Sequence, residues 1–208
     1  MKKLTWTLFG VSYFVNDIFD AIEAQNGKVT HIVLNQKIDE KRMNLIPKNI
    51  VIEKIDLFKP HSSHYFFGFV NGNKNQFLKS LKKHGIIFSN IIHPRSYVAK
   101  NVLLGKGNFI GAGSVIGPCV KIGNFNTINR SSSIGHHVSI GNFNHIGPGA
   151  TISGRCKIGN KNFFGAGSTS VDGITVHDNI IVGAGGVVIK DLIQQGTYVG
   201  VPVSKLNK

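Results

Sequence analysis

The chain has 208 residues, room for one domain or two small ones with a core of their own. Hydrophobic residues are 41% and charged residues 16%, and the 25 glycines lack a period of three, which excludes a disordered tail and a collagen. A net charge of +14 favours an anionic partner (nucleic acid, a phosphorylated small molecule or a membrane surface) without choosing among them.

Lys2 and Lys3 precede the apolar stretch Leu4–Val15. No small-x-small cleavage site follows, and Asn16-Asp17 comes at once, so the stretch reads as the first strand of a cytoplasmic protein rather than a signal peptide. No apolar run reaches the roughly 18 residues of a membrane span. Residues 1–91 contain 5 glycines and 7 acids, whereas 92–208 contain 20 and 3, which sets a domain boundary near residue 91. Before it, strands are expected at Leu4–Phe9, His31–Leu34, Ile50–Ile52 and Tyr65–Val70, with a helix over Asn16–Ala24. A basic helix is expected over Lys74–His84, with Phe77, Leu78 and Leu81 on one face. Strands alternating with helices imply a small parallel α/β sheet.

After residue 91 the pattern changes to a beat of six. Ile92, Val98, Leu104, Ile110, Ile116, Ile122, Ile128, Ile134, Ile140, Ile146, Ile152, Ile158, Phe164, Ser170, Val176, Val182 and Val188 form one series, and only Ser170 is polar. Glycine often follows, as at Gly105, Gly111, Gly123, Gly141 and Gly165. Six matches short strands joined by tight turns, not a helix, and such self-similarity marks a solenoid. Glycine permits positive φ or close approach, and asparagine, abundant here, is the other residue that tolerates left-handed φ. A period of eighteen overlies six: Ile122-Gly-Asn-Phe-Asn, Ile140-Gly-Asn-Phe-Asn and Ile158-Gly-Asn-Lys-Asn are eighteen apart. Three hexapeptides therefore make one three-sided coil, and residues 92–190 give roughly five coils. Ile189–Gln194 reads as a closing segment. Cys119 and Cys156 are too few for a disulfide scaffold and read as free thiols in a reducing compartment.

This region resembles the left-handed parallel β-helix of hexapeptide-repeat acyltransferases, and Val199-Gly-Val-Pro-Val203 resembles their Gly-Val-Pro-Ala ending. Residues 129–154, with Ile134-Gly-His-His and His145 nine residues after His136, are similar to the sialic-acid O-acetyltransferase and bacillosamine-type amino-sugar N-acetyltransferase family. The resemblance implies a Rossmann-like acceptor-binding domain over 1–91 and a β-helix transferase domain over 92–208. It implies an acetyl-CoA-dependent cytoplasmic enzyme of surface-glycan synthesis, a homotrimer with sites between subunits, and no metal. His136 falls on the catalytic base and His145 on the histidine beside the thioester. His137 stands where the family has the acid that orients the base. Acetyl-CoA contacts carry over to Gly154, Ala166 and Ala184, and Arg155, Lys157 and Lys161 either neutralise its phosphates or are a solvated face. Asn129 either binds the acceptor or braces its loop.

The implied acceptor is the amino group of a nucleotide-linked sugar, held at Gly10, Ser12 and Asn35. Here the family's glycine-rich first turn is Gly10-Val-Ser-Tyr-Phe-Val15, too bulky for close approach to a pyrophosphate, and Asn35 replaces an acid. Val70-Asn-Gly-Asn73 and Ile92-His93-Pro94 resemble the family's Gly-Asn turn and domain junction. A hydroxyl acceptor on a sialic-acid-like sugar or polysaccharide is the alternative, and a non-catalytic scaffold is the alternative of another class. Scattered lysines without an aromatic-basic motif argue against nucleic acid.

Overall fold

The computed structural model describes residues 3–70 and 74–206. Lys2 of the amino-terminal flank and Asn71, Gly72 and Asn73 of the Gly-Asn turn lie outside the described residues. The chain divides into two compact units, 1–91 and 92–208.

In the first unit, β1 (Leu4–Phe9), α1 (Val15–Ala24), β2 (Gly27–Leu34), α2 (Glu40–Met43), β3 (Val51–Lys54), β4 (His64–Phe67) and α3 (Lys74–Leu81) follow in order. The four strands form one parallel sheet, ordered β3-β2-β1-β4. Strand two starts earlier than its apolar run suggests, because Gly27–Val29 pairs with Leu4–Trp6 of β1 before the register shifts past Thr30. Strand four stops at Phe67 because Gly68 turns against Gly10, where an added Cβ would lie 2.0 Å from the Gly10 carbonyl oxygen. Phe9 packs among Phe58, Tyr65, Phe67, Phe77 and Phe88, with ring centroids 5.3–6.3 Å away. This aromatic cluster is the core that one sheet face builds with the following loops and α3.

The basic helix is shorter than expected. It passes into a 3-10 turn at Lys82–His84 and ends at Gly85, whose φ of 60° is left-handed. Phe77 and Leu81 are buried, but so is Lys74, with its Nζ 5.8 Å from the centre of the Phe67 ring. Burial pushes the Lys74 ammonium down to about 8, from 10.5. Between those values the unfolded chain holds more protons than the folded one, so folding gains stability as pH rises through that window. Lys74→Met removes the buried charge and is expected to stabilise the protein at pH 7 by roughly 3 kcal/mol at most. The same variant flattens the rise in stability from pH 8 to 10.5, as denaturant melts would record.

The second unit is a coil with three flat parallel faces. One carries the strands Phe109–Ile110, Thr127–Ile128, His145–Ile146, Phe163–Phe164 and Ile180–Val182. The next carries Tyr97–Val98, Val115–Ile116, Ser133–Ile134, Thr151–Ile152, Thr169–Ser170 and Val187–Val188. The third carries Leu103–Leu104, Lys121–Ile122, Ser139–Ile140, Lys157–Ile158 and Thr175–Val176. The second residue of each pair points inward, so Ile110, Ile128, Ile146, Phe164 and Val182 stack as a fully buried column. Each such side chain contributes about 1.5–3 kcal/mol relative to exposure. Ser170, the polar member, is buried too, and its Oγ accepts from the Ser153 N–H at 3.1 Å.

Glycine and asparagine divide the turn work differently from the expectation. The glycines after the apolar residues allow close approach: a Cβ on Gly123 would lie 2.6 Å from the Gly141 carbonyl oxygen, and one on Gly141 2.6 Å from that of Gly159. Positive φ falls instead on the third residue on, at Gly107, Gly113, Gly149 and Gly167, but also at Phe125, Phe143, Lys161 and Arg155. Within the Asn-x-Asn turns the middle residue is the left-handed one. The flanking asparagines build ladders: Asn108, Asn126 and Asn144 each offer Oδ1 to a backbone N–H one coil on, at 2.8 Å. A second ladder runs Asn124–Asn142–Asn160–Asp178. The Asn160 N–H at its end holds the Asp178 carboxyl below its ordinary range.

The closing segment makes a single bridge, Leu192 to Val176, rather than a strand. Gly196–Gly200 then continues the first face and turns back into Val203–Lys205. Cys119 and Cys156 are free thiols. Among the described residues no helix is long and apolar enough to cross a membrane.

Candidate active site

His136 and His137 occupy the corner that follows the strand Ser133–Ile134. The turn is fixed from both sides: the His137 N–H donates to the Pro118 carbonyl at 3.0 Å, and the His136 carbonyl accepts from the Arg155 N–H at 2.9 Å. Both imidazoles are exposed. His137 takes the left-handed place in the turn, φ 60°, which throws its side chain beside that of His136. The rings meet edge to face, with the two Nδ1 atoms 3.1 Å apart. One Nδ1 must carry the proton and the other the lone pair. With the proton on His136 Nδ1, its Nε2 is left bare, as a base requires.

That Nε2 faces a gap. One coil on stands Gly154, and a Cβ there would lie 2.8 Å from His136 Nε2 and 2.7 Å from Asp172 Oδ1. The column is therefore His136, Gly154, Asp172, a base and a carboxylate with a residue lacking a side chain between them. Asp172 is also ion-paired with Arg155. Sequence reasoning passed over Asp172, although the signal was there: the eighteen-residue register places 136, 154 and 172 at one corner.

His145 lies on a different face, half-buried, with its ring stacked on Phe163 at 4.7 Å. Ala166 and Ala184 are exposed at the corner that follows that face, eighteen residues apart. The structure thus joins His136, His137 and Gly154 and separates them from His145, Ala166 and Ala184. Lys157 lines a groove of about 700 Å³ with His177 and Asp178 on the third face. Asn129 is buried, its Oδ1 accepting from the Arg130 N–H at 2.8 Å and its carbonyl from the Ser132 hydroxyl at 2.7 Å, which braces the loop.

In the first unit Gly10 has a φ of 74°, and a Cβ on it would lie 2.6 Å from the Phe69 ring. Ser12 Oγ accepts from the Phe14 N–H at 3.3 Å and shapes the start of α1. Asn35 lines a cavity of about 520 Å³ at the carboxyl ends of β2 and β3, walled by Met43, Ile52 and Asp56. Open parallel sheets bind ligands at that end.

No protein-family model matches the sequence, and no curated protein does. Solved structures match over nearly the whole length. PerB from Caulobacter crescentus, in complex with CoA and GDP-perosamine, is 25% identical, with a TM-score of 0.86 over 98% of this chain and 97% of that one. The acetyltransferase domain of PglB from Neisseria gonorrhoeae, in complex with acetyl coenzyme A, is 21% identical, with a TM-score of 0.86 over 99% and 100%. WeeI from Acinetobacter baumannii is 19% identical, with a TM-score of 0.82 over 99% and 100%. The fold is that of the hexapeptide-repeat acetyltransferases. A mirror-image coil would not superpose so closely, so the coil has the left hand that the resemblance implied.

Within the hexapeptide-repeat acetyltransferase fold, this chain lacks an acid directly after His136 and carries a carboxylate, Asp172, two coils away in the same column.

Proposed function

We propose that the chain is an acetyl-CoA-dependent acetyltransferase acting on the amino group of a nucleotide-linked amino sugar, with His136 as general base. The observation that carries this reading is the corner itself: an exposed imidazole, held through Nδ1, whose Nε2 opens over a residue without a side chain. That the fold includes solved enzymes holding CoA and GDP-perosamine supports it.

The acceptor nitrogen attacks the thioester carbonyl, and His136 Nε2 takes the proton that the nitrogen sheds. Backbone N–H groups steady the oxyanion. The C–S bond then breaks, the acetyl group stays on nitrogen, and the proton passes to the coenzyme A thiolate. His137 keeps the His136 proton on Nδ1, and Asp172 offsets the charge on the ring. Exposed small residues, Ala166 and Ala184, leave room for a pantetheine arm along the coil, with His145 on the face before them.

Since His136 and His145 lie on different faces, one complete site takes His136 from one subunit and His145 from a neighbour, as in a homotrimer. The cavity lined by Asn35, at the carboxyl ends of β2 and β3, supports a nucleotide bound by the first unit. Neither step calls on a metal, a nucleic acid or a membrane, and a cytoplasmic enzyme of surface-glycan synthesis fits this chemistry.

The test is thiol release from acetyl-CoA by the purified chain, with GDP-perosamine, other nucleotide amino sugars and hydroxyl-bearing sugars as acceptors. Release with amino acceptors alone is the expected result. Release with hydroxyl acceptors alone, or with none while acetyl-CoA fails to bind in calorimetry, overturns the proposal.

A further inference from the structure

The sequence assigns no metal ligand, yet the first unit gathers three. His31 on β2, Glu53 on β3 and His61 in the loop before β4 place one ligand atom each within 4.8 Å of one another. Glu53 Oε1 is 3.6 Å from His31 Nε2 and 3.8 Å from His61 Nε2, and the two rings lie 3.7 Å apart between centroids. Sheet register brings them together. His31 stands opposite Val51, and Glu53 opposite Val33, so His31 and Glu53 share a face at a diagonal. The loop then folds His61 back over that face, within 3.4 Å of Thr7 Oγ1.

The remaining hydrogen bonds fix which ring nitrogens face the cluster. His61 Nδ1 bonds the Lys59 carbonyl, which only accepts, so the proton sits on Nδ1. The Thr30 hydroxyl donates to the Trp6 carbonyl at 3.3 Å, so its oxygen accepts from His31 Nδ1 at 2.9 Å. Both Nε2 atoms therefore face the carboxylate, and in the neutral rings they turn lone pairs toward it. The Thr7 hydroxyl supplies at most one proton to this group, and it also bonds Ser62 Oγ at 2.7 Å. Three such acceptors drawn together call for a positive charge between them, a metal ion or a proton on one ring. Imidazoles anchored through Nδ1 to a carbonyl or hydroxyl are the usual form of histidine metal ligands.

We propose that His31, Glu53 and His61 bind a divalent transition-metal ion, with Zn2+ the best match. Two imidazoles and a carboxylate are zinc's donors, and tetrahedral ligands at zinc's bond lengths sit about 3.3 Å apart, close to the spacing seen. The side chains are about a quarter exposed (24%, 24% and 26%), which leaves a fourth position for water. The ion ties the loop after β3 to the middle of the sheet. Glu53 also lines the cavity at Asn35, and the binding test reads the metal alone, so it is decided whether or not acetyl transfer is found.

The chelator-stripped full-length protein is titrated with Zn2+ by calorimetry and, separately, with Co2+ by visible absorption. A His136→Ala/His137→Ala background removes the other imidazole pair as a competing site. The expected result is one tight equivalent, a four-coordinate Co2+ spectrum and a rise in melting temperature. His61→Ala, which changes an exposed loop residue, is expected to weaken binding beyond the roughly 10- to 100-fold that losing a supporting hydrogen bond costs. Glu53→Gln keeps the shape, and it too is expected to weaken binding. Zn2+ affinity unchanged in both variants, or no Zn2+-dependent rise in melting temperature in the parent, overturns the site.

Discussion

His136→Ala is expected to lower kcat for acetyl transfer by about 10²- to 10⁴-fold, the range that a positioned acid–base group supplies. The fold is expected to survive, because the ring is exposed and the coil is joined through backbone that alanine retains, the Arg155 N–H to the carbonyl of residue 136 among it. The KM for acetyl-CoA should move little, since the base acts in the transition state and not in binding the thioester. Asp172→Asn separates two roles for that carboxylate. If Asp172 steadies a charged imidazole, the amide lowers kcat with the circular dichroism and melting curve unchanged. If it only pairs Arg155 at the surface, both kinetics and stability stay as they were, since exposed ion pairs contribute little. Full transfer activity in a folded His136→Ala protein ends the base assignment.

The coil was legible because its rule is simple. An inward apolar residue every six positions, stacked every eighteen, has no competing helical reading, and the faces observed follow that register from Tyr97 to Val188. The first unit was legible as a parallel sheet but not at its edges. Gly27–Val29 pairs through backbone, which side-chain pattern does not report, and Gly68 ends β4 through a contact with Gly10 far away in sequence. Lys74 opens the basic helix, and nothing in its sequence pattern reports that it is buried with its Nζ near the Phe67 ring.

The candidate site shows the same division. His136 stands at an outward position of the repeat, where a solvated turn histidine would also fit, and the resemblance of residues 129–154 is what marks it as the base. Asp172 and Gly154 are ordinary residues until they are set in the column of His136. The His31, Glu53 and His61 cluster has no regular spacing at all, because a strand crossover and a loop bring it together. Asparagine's tolerance of left-handed φ is used at Asn179, but not in the Asn-x-Asn turns. There the asparagine side chains instead satisfy the backbone of the next coil, and the conformational burden falls on the residue between them.

That ladder carries the largest stability effect expected of a polar residue here. Asn144 is 2% exposed. Its Oδ1 accepts from the Asn162 N–H at 2.8 Å, and its Nδ2 donates to the Gly159 carbonyl at 2.9 Å and to Asn126 Oδ1 at 3.0 Å. Asn144→Ala leaves those groups in the interior of the coil without the bonds Asn144 supplied. At about 1–3 kcal/mol for each buried group so stranded, the loss is roughly 3–5 kcal/mol, because some groups relax toward other partners. Asn142→Ala removes the same kind of bonds, Oδ1 to the Asn124 N–H at 2.8 Å and Nδ2 to Asn160 Oδ1 at 3.0 Å. That residue is only half-buried, so water replaces what is lost and the cost stays near 1 kcal/mol. Denaturant melts of the two variants side by side measure the difference. Equal losses would mean that the ladder works through asparagine's turn preference, which both positions share, and not through the buried bonds that only Asn144 makes.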